Sequence, residues 1–96
     1  MQQTASRTQE TSKALFNAQH RLAVAAVFVA PDAAVRGYED VASEAGVSRS
    51  VAHKELAVLV MVGAVLRIEI GRTVHYQRAE SAFWPFVREL LSRSGE

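Results

Sequence analysis

Glu39-Asp40-Val41-Ala42-Ser43-Glu44-Ala45-Gly46-Val47-Ser48-Arg49-Ser50 reads as the end of one helix, a tight turn and the start of another. The first helix spans about Tyr38 to Ala45, with Val41, Ala42 and Ala45 facing in. Gly46 can take a positive φ without steric penalty and so ends it. Val47 plugs the turn. Ser48 is a good N-cap, because its hydroxyl accepts an orphaned backbone N–H. The second helix runs from about Arg49 to Val62. Ala52, Leu56 and Leu59, spaced four and three apart, form its inward stripe, with Val51, Val58 and Val62 to one side. Ala42 is small where the two helices must cross closely. The face opposite the stripe carries Ser50, His53, Lys54, Ala57 and Met61, with Arg49 at its edge. Short side chains there let a helix approach a groove, and long ones reach beyond it.

Downstream, Gly63 stops the second helix. Val65 to Ile70 and Thr73 to Arg78 then alternate with period two around Gly71-Arg72, the pattern of a β-hairpin. A two-residue loop would pair Ile70 with Thr73 and Ile68 with His75, mixing apolar and polar faces. A loop one residue longer pairs Ile70 with Val74 and Ile68 with Tyr76, so an odd-length loop is expected. A last helix is expected over Glu80 to Ser92, with Ser81 as its cap and Pro85 in its first turn. Phe83, Phe86, Val87, Leu90 and Leu91 form its apolar face.

Upstream, residues 1–10 are Gln/Thr/Ser-rich and are expected to form a flexible tail, leaving 11–92 as the folded domain. One helix is predicted from Thr11 to Ala30, stopped by Pro31. Leu15, Ala18, Leu22, Ala25 and Val29 share a face, yet Val24, Val27 and Phe28 make its C-terminal half apolar nearly all round. Such a helix is covered on more than one side. The second cover is either another subunit or the last helix of the same chain. Pro31 to Gly37 is a connection with room for a short strand near Val35.

Ninety-six residues make one small domain, for which oligomerisation is a common support. The absence of cysteine removes disulfides and thiol chemistry and suits a reducing cytoplasm. The apolar run from Leu22 to Ala30 falls well short of the ~20 residues that span a bilayer, and no membrane association is expected. The net charge is +1, but it is unevenly divided. Residues 46–78 carry Arg49, Lys54, Arg67, Arg72 and Arg78 against only Glu55 and Glu69, with His53 and His75 besides. A basic patch of this kind is the electrostatic footprint of a nucleic-acid contact, although a solvated surface can look the same. No nucleophile–base pair, carboxylate pair or phosphate loop stands out, so no enzyme and no cofactor are expected.

From Leu15 to Arg78 the chain resembles the ArsR-type (arsenical-repressor-like) winged helix-turn-helix regulators. The likeness is carried by 39–50, by Leu56-Ala57-Val58-Leu59, by Val62-Gly63-Ala64-Val65, and by Gly71-Arg72-Thr73-Val74-His75-Tyr76, which is similar to the family's wing. The resemblance implies a mainly α fold with a small β-hairpin, in the order helix, short strand, helix, helix, strand, strand, helix. It implies a homodimeric regulator, usually a repressor, that binds operator sequences in double-stranded DNA. By position, Arg49, Ser50, His53 and Lys54 would read bases from the major groove, and Ser48 would hold a phosphate. Arg72, Thr73 and His75 would make the wing contacts. The last helix resembles the family's dimerisation helix, which places Leu15, Leu22, Phe83, Phe86, Val87 and Leu90 at the expected dimer interface. Family members sense metals through cysteines in the first reader helix or through His and carboxylate clusters on the last. This chain has no cysteine and no histidine in those places, so no metal site is expected. An inducer, if there is one, would be a small molecule or a partner protein. Where relatives often carry a histidine before the leucine, this chain has Glu55, an acid able to pair with a cation of a neighbouring element. The same features also suit a module for protein–protein contact or assembly with little DNA binding.

Overall fold

Two helices stand where the sequence predicts one. The computed structural model describes residues 3–29 and 35–95. Helix α1 spans Gln3–Phe16 and α2 spans Arg21–Ala26. Between them Asn17 adopts φ 54°, a left-handed conformation that asparagine tolerates better than most residues. Ser12, fully buried on α1, holds the break together. Its hydroxyl donates to the Ala18 carbonyl and accepts from the Leu22 N–H at 2.9 Å, satisfying the start of α2 from outside. The predicted helix over 11–30 is therefore corrected. Its apolar periodicity runs through the break, but Leu15 on α1 is left exposed while Leu22 and Ala25 on α2 are buried. The segment expected as a tail is, from Gln3 onward, the first half of α1. Helix α2 ends at Ala26; Pro31, expected to stop it, lies outside the described residues.

The remaining elements are β1 (Arg36–Gly37), α3 (Tyr38–Ala45), α4 (Arg49–Met61), β2 (Val65–Ile70), β3 (Thr73–Arg78) and α5 (Phe83–Gly95). The chain is mainly helical with one small antiparallel sheet of order β1-β3-β2. The α3–α4 junction follows the sequence closely. Gly46 takes φ 72°, and the N–H groups of Gly46 and Val47 donate back to the Ser43 and Ala42 carbonyls. Ser48 Oγ accepts from Val51 N at 3.2 Å and caps α4.

The hairpin departs from expectation. Ile70 pairs with Thr73, Ile68 with His75 and Arg67 with Tyr76, so the loop is the two residues Gly71-Arg72. Gly71 has φ 63° and Arg72 has no positive φ, the pattern of a type II′ turn with glycine first. That turn matches the twist of the strands and sets the register. The odd-length expectation assumed that Leu66, Ile68 and Ile70 face the core. They do not: Val65 and Tyr76 are buried, while Leu66 and Ile70 are exposed on the opposite face.

The core joins Leu22, Val24 and Phe28 of the N-terminal region to Val41, Leu56 and Leu59, to Val65 and Tyr76 of the sheet, and to Trp84 and Val87 of α5. Each such large side chain contributes roughly 1.5–3 kcal/mol by burial. Trp84 locks α5 in place. Its indole N–H donates to the Ala64 carbonyl at 3.0 Å, and its ring packs on Phe28 and Phe83. Phe83 also meets Phe16 of α1, with ring centroids 6.4 Å apart. Ser81 Oγ accepts from Phe83 N, as expected of a cap. So α5 covers the N-terminal helices of its own chain. Among the described residues no helix is long and apolar enough to cross a membrane.

Candidate functional site

The exposed side of α4 and the tip of the β2–β3 hairpin lie on either side of one cleft. Tyr38, Glu39 and Asp40 at the start of α3, His53 of α4, and Arg72, Thr73, Val74 and His75 of the hairpin line it, with Gly37 behind. Of the eight residues expected to contact DNA, the structure gathers His53, Arg72, Thr73 and His75 there. Ser48, Arg49, Ser50 and Lys54 sit outside the cleft, exposed along the first turns of α4 and the turn before it.

Some of these side chains have a definite neighbour and others do not. The His53 ring packs on Tyr38 with centroids 4.2 Å apart, which fixes its position over the cleft. Arg49 reaches Glu39 across the α3–α4 turn at 3.6 Å; both groups are more than half exposed, so the pair is weak and exchangeable. Ser48 is engaged as the cap and lies 3.3 Å from the Ser50 hydroxyl. Thr73 Oγ1 donates to the Ile70 carbonyl at 2.9 Å and closes the turn, so its hydroxyl hydrogen is already used. Among the described residues His75 Nδ1 is enclosed without a hydrogen-bond partner. Lys54 and Arg72 are exposed and have no ion-pair partner among the described residues.

Glu55 pairs with a cation of a neighbouring element, as an acid at that position can. It is buried and turned away from the exposed face of α4. Its carboxylate accepts from Arg21 Nε of α2 at 2.6 Å, a charge-assisted bond between neighbouring elements. The exposed face of α4 thus presents Arg49, Ser50, His53, Lys54, Ala57 and Met61, with no acid among them. The acids that do approach the site are Glu39 and Asp40. They lie in the first turn of α3, where they suit the helix dipole but oppose an anion.

The residues expected between subunits divide. Leu22 and Val87 are fully buried inside this chain, so they are core rather than interface, because α5 closes over α2. Phe83 and Leu90 are half-buried on α5. Leu15 and Phe86 are 53% and 46% exposed, and these two keep apolar surface available to a second copy. Sequence reasoning missed Tyr38, Ser12 and the Glu39–Arg49 pair. Only the last left a signal, opposite charges on either side of a tight turn. Compared with protein-family models, with curated proteins and with solved structures, the chain matches none.

Proposed function

We propose that the chain is a winged helix-turn-helix regulator of transcription that binds specific double-stranded DNA as a homodimer in the cytoplasm, as a repressor. In this reading α4 enters the major groove and the β2–β3 hairpin rests on the backbone or in the minor groove. The observation that carries it is the inward turn of Glu55 onto Arg21. It leaves an exposed helix face of cations, hydroxyls and small side chains, flanked by Arg72, which has no ion-pair partner among the described residues. Lys54 and Arg49 have the reach and the donors for base edges or phosphates. Selection of bound duplexes from a random pool, with the mass of the complex, tests it. Enrichment of two-fold-symmetric half-sites bound by two chains is expected. A pool that stays unenriched at micromolar protein would contradict it.

A second reading has its own support. Met61, Val62, Leu66 and Ile70 are 77%, 58%, 51% and 52% exposed, apolar surface of the kind that suits a partner protein. A module for protein–protein contact or assembly would use it. The two readings separate on salt, since DNA affinity falls steeply with ionic strength.

A further inference from the structure

The sheet has a long open edge. In the order β1-β3-β2, strand β2 is paired on one side only among the described residues, and three of its six residues direct backbone groups to the other. Such an edge is a template for another strand unless charge, proline or a bulge protects it. Here Leu66 and Ile70 are half exposed on one face, with Ile68 between them. The other face carries Arg67 and Glu69, paired to each other at 3.2 Å and both mostly exposed.

The turn determines which backbone groups are free. A two-residue loop closes on the hydrogen-bonded pair Ile70–Thr73. Leu66, Ile68 and Ile70 therefore bond to β3, while Val65, Arg67 and Glu69 direct their N–H and C=O groups outward. An incoming strand must bond to those three. If it belongs to a second copy, the same three meet each other across a two-fold axis, as any isologous contact requires. With Arg67 on the axis, arginine faces arginine. With Glu69 there, glutamate faces glutamate. With Ile68 on the axis, Arg67 faces Glu69 of the second copy, Leu66 faces Ile70, and Ile68 faces itself. Every charge then meets its opposite and every apolar residue an apolar one, the pairings that stabilise a sheet.

We propose that β2 is a self-docking edge: two copies of this chain join antiparallel with Ile68 on the two-fold axis, making one six-stranded sheet. The Arg67–Glu69 pair within each chain exchanges for two pairs between chains. Because both groups are solvated, the exchange costs little. This contact is separate from the helical surface of Leu15 and Phe86, and it does not depend on DNA binding.

Charge reversal tests the register. Arg67→Glu and Glu69→Arg each put like charges opposite one another, and each is expected to weaken self-association about tenfold or more in sedimentation. Mixed in equal amounts, the two variants complement and should associate as the wild type does. The double exchange Arg67→Glu/Glu69→Arg should also restore association. In a chain without cysteine, Ile68→Cys should form a disulfide dimer on mild oxidation, since facing non-hydrogen-bonded residues stand about 4.5 Å apart at Cα. Repeating the series with Phe86→Glu isolates the strand contact from the helical one. Identical association of the wild type, both single variants and their mixture would overturn the proposal, as would an Ile68→Cys chain that stays monomeric under oxidation.

Discussion

At Arg49 and Glu39 the charge balance of the site is decided. Arg49 is tethered, weakly, to an acid that also repels phosphate, while Lys54 has no partner among the described residues. Lys54→Ala should therefore lower duplex affinity by about tenfold, the worth of one good polar contact at a base or phosphate. Glu39→Gln should raise it about two- to threefold by releasing Arg49 from a weak pair. Fluorescence anisotropy on a duplex reads both, and unchanged affinity in Lys54→Ala would count against α4 as the reading helix. Glu55 acts through the fold instead. Glu55→Gln leaves Arg21 without its counter-charge, but Arg21 is 19% exposed and can rehydrate. The expected loss is roughly 1–3 kcal/mol, rather than the ~3–5 kcal/mol of a fully buried pair, measured by urea unfolding.

Among the elements, α3, α4 and the turn between them were legible because local chemistry dictates them. Gly46 and Ser48 do what their residue types do best, and α4 starts at Arg49 as expected. The break between α1 and α2 was not legible. It depends on Ser12 reaching Ala18 and Leu22, contacts that no local period encodes. The hairpin loop was misread because period two says which residues share a face, not which face is buried. At this scale Gly71 is the informative position. A Cβ there meets no atom within 4 Å, so Gly71→Ala tests backbone strain alone. It should cost about 1–2 kcal/mol in chemical unfolding, the penalty of a positive φ for an L side chain. A neutral result would mean that the hairpin re-forms with another turn.

For the whole molecule, a mainly helical chain with a small antiparallel sheet could be read from the sequence, whereas the helix count and the site could be read only in part. His53, Arg72, Thr73 and His75 meet in one cleft because a tight hairpin folds back beside α4, and spacing along the chain cannot show that. The division of apolar residues between core and surface was equally hidden. Leu22 and Phe86 look alike in sequence, yet one is fully buried and the other 46% exposed. Phe86→Glu should consequently fold, lose the proposed helical dimer contact and sediment as a smaller species, with weaker binding to two-fold-symmetric DNA. A wild type already monomeric at high concentration would refute dimerisation. DNA binding itself is tested most directly by titrating a random-sequence duplex at increasing salt. Affinity should fall by about a hundredfold or more between roughly 50 and 200 mM salt, as counterions are released from phosphates met by Lys54, Arg49 and Arg72. Binding that is absent at low salt, or indifferent to salt, would contradict a DNA-binding role.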